Sequence, residues 1–284
     1  MKVVVVGQNG FVGSSLVKYL KEKGLEVVGT SSKAGEGDLQ LDLLNVGDFD
    51  FEVVDSGDCV IFAAGVSSPD ACEKRDEVIY AINVLGTIEA IRQFLEKGAR
   101  VMFFSSDLVY GSSDEGEVFK ETSMVKPLME YAKMKHEVEK MFLGKENFVT
   151  LRMSYVFSRF DKFTKYLTKC AKNGDLAEIF HPIYRNVVYL GDVLAGIERL
   201  VMNESLMSSG ILNLCGEESL SRMDLADQYK EVVDGSLEYK LVDPPENFFK
   251  VRPRKIVLDF LHFSKILDRK LSSIVEAMRL EFNS

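Results

Sequence analysis

The sequence predicts an α/β protein: a doubly wound parallel sheet with a smaller, mixed C-terminal domain. Three observations carry this expectation. Apolar β-branched runs alternate with segments of helical periodicity, a glycine-rich loop joins the first such pair, and the alternation loosens from about residue 158 onward. Strands alternating with helices imply parallel crossovers, and these cover both faces of a sheet with helices.

Lys2 to Val6 is a short β-branched run suited to a strand buried on both faces. Phe11, Val12, Leu16, Val17 and Leu20 then recur at helical spacing, and Gly24 is placed to end that helix before the next apolar run, Val27-Val28. The cycle repeats with a strand at Cys59 to Ala63, a helix from about Glu77 to Phe94 closed by Gly98, and a strand at Arg100 to Phe104. A further cycle has a helix from Glu130 to Phe142 and a strand at Phe148 to Arg152. Beyond it come two helical stretches, short apolar pieces and the pair Pro244-Pro245. Asn186 to Met202, a strand with Asp192 opening a helix, returns to the first pattern. The first domain is therefore expected over 1–157 with about 186–203, and the second over about 158–185 with 204–284.

At 284 residues the chain has length for a substantial core, and 46% hydrophobic with 28% charged residues is ordinary for a soluble protein. A net charge of −9 with no dominant basic run argues against nucleic-acid binding. Cys59, Cys72, Cys170 and Cys215 form no CxxC pair and His136, His181 and His262 are scattered, so no metal site is expected. The cysteines read as reduced core residues of a cytoplasmic protein. No continuous apolar run approaches the ~18 residues of a membrane span, and polar Gln8-Asn9 interrupts the apolar start.

Gly7-Gln8-Asn9-Gly10-Phe11-Val12-Gly13 lies between the first strand and the first helix. Glycines there turn the chain tightly and let backbone N–H groups approach a pyrophosphate, while the helix N-terminus supplies partial positive charge. This predicts a Rossmann-type dinucleotide site. An acid at the tip of the second strand would accept the adenosine ribose hydroxyls of NAD(H). Here Thr30 runs into Ser31-Ser32-Lys33, two hydroxyls and a cation that suit a 2′-phosphate, so NADP(H) is favoured over NAD(H). Asp42-Leu43 fits the place where such folds hold the adenine amino group, and Asp42 fits a helix cap equally well.

Tyr131 and Lys135 stand one helical turn apart. Their free pKa values, about 10 and about 10.4, serve neither as acid nor base at neutral pH unless the groups perturb each other. A nearby ammonium is expected to lower the Tyr131 pKa and leave a hydroxyl able to protonate an alkoxide. The spacing alone fits a solvated lysine beside a half-buried tyrosine just as readily. Ser106, further up the chain, supplies a hydroxyl for a carbonyl oxygen, with Ser105 as its packed neighbour. His136 falls on another helical face and reads as a solvated surface residue.

With Gly7, Gly10, Gly13, Ser106, Tyr131 and Lys135 in this order, the chain resembles the extended short-chain dehydrogenase/reductases, the NAD-dependent epimerase/dehydratase superfamily acting on nucleotide sugars. The resemblance covers nearly the whole length. It implies that Ala63-Ala64-Gly65 runs beside the cofactor, that Asn83 is the family's structural Asn, and that Lys135 also holds the nicotinamide ribose. It matches further segments at Glu121-Thr122, Leu151-Arg152, Val188 to Asp192, Asn213-Leu214 and Arg252-Pro253. Asp107 is followed by Leu108, not by the Glu that family dehydratases carry, so simple water elimination is not expected. Phe104 to Tyr110 is similar to the dTDP-4-dehydrorhamnose reductase branch, in which hydride reduces a C4 ketone; Ser106 replaces the usual Thr.

The resemblance implies an NADPH-dependent reductase of a nucleotide-linked 4-keto-6-deoxy sugar, working as a homodimer. Arg185 and Arg252 are candidates for the substrate diphosphate, because guanidinium grips phosphate oxygens with paired donors; a surface ion pair fits each as well. An NAD-dependent nucleotide-sugar epimerase and a non-catalytic dinucleotide-binding regulatory subunit are the alternatives.

Overall fold

A computed structural model describes residues 1–284 except 75, 208, 209, 247 and 284. The first elements are β1 (Val3–Val6), α1 (Phe11–Glu22), β2 (Val27–Ser31), β3 (Leu39–Gln40) and β4 (Cys59–Phe62). They are followed by α2 (Pro69–Cys72), α3 (Glu77–Tyr80), a π-helical stretch Ala81–Gly86, α4 (Thr87–Glu96), β5 (Arg100–Ser106), α5 (Glu130–Phe142) and β6 (Phe148–Met153). Next come β7 (Tyr155–Phe157), α6 (Lys162–Asn173), β8 (Ala177–Phe180), β9 (Tyr184–Tyr189), α7 (Leu190–Met202), β10 (Ile211–Leu214), β11 (Ser219–Ser221) and α8 (Arg222–Val232). The chain ends with β12 (Tyr239–Val242), α9 (Phe248–Val251), β13 (Lys255–Ile256), α10 (Leu261–Leu267) and α11 (Ile274–Phe282).

The chain divides into two compact units, 1–109 with 129–152 and 196–212, and 110–128 with 153–195 and 213–284. The division is discontinuous and differs from the expected boundaries. Tyr110–Leu128 joins the second unit, β9 stays with it, and the segment through Leu212 belongs to the first. Periodicity registers that a segment is a strand or a helix; it carries no information on which sheet the segment joins.

In the first unit a seven-stranded sheet runs in the order β10-β6-β5-β4-β1-β2-β3. The pairs β1–β2, β1–β4, β2–β3 and β4–β5 are parallel. Val4, Val6, Val60, Phe62, Val101 and Phe103 alternate along their strands onto one face and pack with Ala90, Ile91 and Phe94 of α4 and Val138 and Phe142 of α5. Val3, Val5 and Ile61, pointing the other way, are also buried. Burial on both faces is why these strands read as unbroken apolar runs. The order reverses between β1 and β4, and in doubly wound sheets that reversal opens a crevice at the carboxyl ends of the strands.

Glu77–Glu96 forms one continuous helix. Among the described residues it is long and apolar enough to cross a membrane by length and composition, although polar residues interrupt every apolar run within it. Its Ala90, Ile91 and Phe94 are fully buried in the sheet core, whereas Val78, Tyr80 and Leu85 nearer its start are exposed.

The second unit holds a sheet in which β9 pairs with β11, β13 and β7, and a separate parallel pair, β12 with β8. Its core joins Phe157, Leu167, Ile179, Val187, Tyr229 and Met278. Capping boxes at Ser221 and Ser273 start α8 and α11, and Asp161 caps α6 by accepting from the amides of Phe163 and Thr164.

Candidate active site in the first unit

The glycine loop after β1 is built by backbone crowding. Gly7 has φ +91°, and a Cβ there would lie 2.8 Å from the Cα and N of Ala64 at the end of β4. A Cβ on Gly13 would stand 2.3 Å from the Gly7 carbonyl oxygen, so the first turn of α1 sits directly against the loop. Gly10, at the N-cap, provides no side-chain cap. The leading amides of α1 thus have no side-chain acceptor there, the arrangement that suits an anion at a helix N-terminus.

A cavity of about 360 Å³ opens beside this loop. Gly7 and Gly10 form one wall, Ser31 and Ser32 at the end of β2 another, and Ala63, Ala64 and Gly65 after β4 a third. Asp42 and Leu43 also line it. A cradle in which side chains would clash with backbone, open at the switch point of the sheet, fits a dinucleotide. The side chains of Phe11 and Val12 do not line the cavity, and Phe11, Val12 and Gly13 form the first turn of α1, whose leading amides follow Gly10.

Asp42 caps no helix. Its carboxylate accepts from the Leu44 amide at 3.0 Å and from Asn45 Nδ2 at 3.2 Å, fixing the loop that forms this wall. Lys33 is not on the wall either. Its Nζ lies 3.5 Å from Glu36 Oε1, and Glu36 itself lines the cavity. An acid absent from the tip of β2 thus reaches the cavity wall from the following loop, five residues beyond the strand end. The available signal was the i,i+3 placement of Lys33 and Glu36.

Asn83, in the π-helical stretch, accepts from the Val66 amide at 2.7 Å and donates to the Val66 carbonyl at 3.0 Å. It is buried, and its two bonds hold the strand end that passes the cavity. Gly65, with φ +141°, makes room at that point: a Cβ would be 3.1 Å from Asn83 Oδ1 and 3.7 Å from Lys135 Nζ. The helix bearing Lys135 and the wall of the cavity thus meet at Gly65.

That helix, α5, begins where Glu73 accepts from the Glu130 amide at 2.8 Å. Lys135 is buried on its inner face, with Nζ 4.7 Å from the Phe103 ring centroid and 5.9 Å from that of Tyr131. Burial lowers the Lys135 pKa to about 8, against the raising influence of Glu139 and Cys72. Tyr131 moves opposite to expectation. Burial pushes its pKa above the ordinary value, with Cys72 and Asp107 adding to the rise. The expectation took the neighbouring cation as dominant, whereas loss of solvent around a half-buried phenol outweighs it.

Ser106 Oγ donates to Asp107 Oδ1 at 3.2 Å and accepts from the Leu108 amide at 3.2 Å. Ser105 does more than pack beside it. Its Oγ donates to Glu139 Oε1 at 2.5 Å, and Arg152 grips the same carboxylate from Nε at 3.1 Å and Nη2 at 2.8 Å. His136 Nδ1 lies 3.2 Å from Glu139 Oε2, so it is a half-buried partner of that carboxylate and not a solvated surface residue. Glu139 follows Lys135 by one turn on the buried face, a position that helical periodicity could have flagged.

Arg185 and Arg252 belong to the second unit. Arg185 is half-buried, the second residue of β9, opposite Leu220 of β11 and Ile256 of β13. The Arg252 guanidinium lies 4.6 Å from the Phe248 ring centroid. Among the described residues no group of three or more His, Cys, Asp or Glu side chains is arranged to hold a metal ion.

Residues 1–270 match the family described as RmlD substrate binding domain. The dTDP-4-dehydrorhamnose reductase of Aggregatibacter actinomycetemcomitans is 27% identical over 234 residues, covering 79% of this chain and 76% of that one. A probable low-salt glycan biosynthesis reductase of Haloferax volcanii is 25% identical over 276 residues, covering 91% and 90%. The crystal structure of dTDP-4-dehydrorhamnose reductase from Bacillus anthracis in complex with NADP superposes with a TM-score of 0.83 at 19% identity, covering 99% of this chain and 98% of that one. The chain belongs to the RmlD substrate binding domain family and is an NAD(P)-dependent oxidoreductase of the extended short-chain dehydrogenase/reductase type.

Proposed function

We propose that the protein reduces a nucleotide-linked 4-keto-6-deoxy sugar at its C4 carbonyl, with NADPH as the hydride donor and Tyr131 as the proton donor. The observation that carries this reading is the meeting of Lys135, Asn83 and Gly65 at the cavity wall, which brings the catalytic helix to the dinucleotide site. The reduced nicotinamide supplies the hydride when bound. Gly7, Gly10 and the leading amides of α1 would hold its pyrophosphate, and Ser31 and Ser32 would take its adenosine end.

A tyrosine with a raised pKa keeps its proton at neutral pH and is a donor rather than a base, which suits reduction of a ketone. Ser106 turns its hydroxyl proton from Asp107 to the carbonyl oxygen as negative charge builds there. Lys135, charged below about pH 8, adds positive potential to the same place. Leu108 following Asp107 leaves out the second acid-base group that water elimination needs. Arg185 and Arg252 hold the substrate diphosphate in this reading. The four buried free cysteines support a cytoplasmic setting, and the family resemblance supports a homodimer.

The test is loss of NADPH absorbance on adding dTDP-, UDP- or GDP-linked 4-keto-6-deoxy sugars. Absence of consumption with every one overturns the reading, and isomerisation without net consumption replaces it with the epimerase.

A further inference from the structure

One buried carboxylate ties together the elements that carry Ser106 and Lys135. Ser106 is the last residue of β5, and Ser105, just before it, turns its hydroxyl to α5 and donates to Glu139 Oε1 at 2.5 Å. Arg152, from the adjacent strand β6, closes on the same group with Nε 3.1 Å from Oε1 and Nη2 2.8 Å from Oε2. His136 Nδ1 stands 3.2 Å from Oε2. Both carboxylate oxygens are thus engaged twice, which fills the acceptor capacity of the group and leaves it one orientation. Ser105, Glu139 and Arg152 are all buried. A buried ion pair is a weak source of stability, because apolar residues of similar volume serve as well or better. Cohesion alone does not account for this one.

The second role lies one helical turn away. Lys135 and Glu139 share the buried inner face of α5. The other groups facing Lys135 are the Phe103 ring of β5, the Tyr131 ring, the Cys72 thiol of α2, and Asn83, which meets it at Gly65. Burial pushes the Cys72 thiol up, so it is neutral at ordinary pH. Asp107 bears on Tyr131 and Glu73 on Cys72. Glu139 is the carboxylate that bears on the ammonium itself.

We infer that Glu139 is a positioning residue for the reduction: it locks the Ser106 end of β5 to the Tyr131–Lys135 face of α5, and it stands as the counter-charge to the Lys135 ammonium. No proton passes through it, since the guanidinium and the Ser105 hydroxyl hold it ionised. The bond from Ser105 sets the placing of Ser106 against Tyr131, and the charge sets the pH at which Lys135 gives up its proton. The inference rests on the reading of Ser106, Tyr131 and Lys135 as the reacting group.

Separate substitutions divide the two effects. Ser105→Ala removes the tie to β5 and leaves the Glu139–Arg152 pair. Glu139→Gln keeps the shape and removes the charge; it is made alone and together with Arg152→Met, which leaves no buried guanidinium behind. One readout is steady-state oxidation of NADPH with the 4-keto-6-deoxy sugar nucleotide that the wild type consumes. The other is the titration of Lys135 in the dinucleotide-free protein, followed by the Cε resonance of isotopically labelled lysine that Lys135→Met deletes. Wild type is expected to give a midpoint of about 8. Both Glu139 variants are expected to give a lower midpoint, with the alkaline limb of kcat/KM moving down alongside it. Ser105→Ala is expected to keep the midpoint and to lower kcat by about tenfold with KM within about twofold. A midpoint unmoved in both Glu139 variants overturns the counter-charge, and full kcat in Ser105→Ala overturns the lock. Should the wild type consume NADPH with no such sugar, the reductase reading fails, and the lysine titration still decides the part of Glu139 independently.

Discussion

Arg152 grips Glu139 through two parallel N–H donors, at 3.1 Å and 2.8 Å, inside the protein and one helical turn beyond Lys135. Burial alone would raise the Glu139 carboxyl pKa, yet the bonds from His136, Arg152 and Ser105 hold it below its ordinary value. The carboxylate therefore stays ionised, fixes the inner face of α5, and supplies negative potential that partly offsets the burial of Lys135.

Removing one partner of a buried pair leaves the other charge without compensation, so Glu139→Ala should destabilise the protein by about 3–5 kcal/mol in urea unfolding. Because the folded pKa is depressed, the contribution is fully present above the ordinary value of 4.5 and is lost as pH falls through the lower folded value. An unchanged unfolding midpoint in the variant would contradict this account.

Lys135 has the opposite linkage. Below about pH 8 it is charged in both the folded and unfolded chain, and its burial is a standing penalty. Between about 8 and 10.5 the unfolded chain binds more protons, so the stability contributed at this position rises with pH across that window. Lys135→Met should raise stability at pH 7 by on the order of 3 kcal/mol, with the gain shrinking through the same window, and should abolish turnover. In the wild type, kcat/KM should fall above about pH 8 as the ammonium is lost. A flat rate profile up to pH 10 would argue that its charge has no part in the reaction.

Tyr131→Phe removes the proposed proton donor and little else. Turnover should drop by about 10²–10⁴ while titration with NADH or NADPH gives an unchanged affinity. Retention of full activity would place the donor on another residue.

Gly13→Ala brings a methyl within 2.3 Å of the Gly7 carbonyl oxygen, a backbone atom that cannot swing away. The expected loss is about 1–3 kcal/mol of stability, together with weaker dinucleotide binding as the loop is pushed from the N-terminus of α1. Gly24→Ala is the control. No atom lies within 4 Å of its Cβ position, so only the strain of φ +79° is felt and the cavity is untouched. Equal loss of binding in both variants would count against the cradle.

The strand β1, the glycine turn and the bounds of α5 at Glu130 and Phe142 were all legible in the sequence, because each is set by local rules: β-branched burial, backbone crowding and a 3.6-residue period. The bonds of Asn83 to Val66 gave a specific task to a residue that resemblance could label only as structural. The approach of Glu36 to the cavity, the closure of Ser105, His136 and Arg152 around Glu139, and the allotment of Tyr110–Leu128 to the second unit emerged only in three dimensions. A loop's destination depends on contacts far along the chain, as when Gln8 and Asn9 tether residue 36. The direction of the Tyr131 shift is a matter of the same kind. One neighbour at i+4 suggested a lowered pKa, but the direction reflects loss of solvent around the phenol with Cys72 and Asp107 adding to the rise, and only the folded chain assembles that environment.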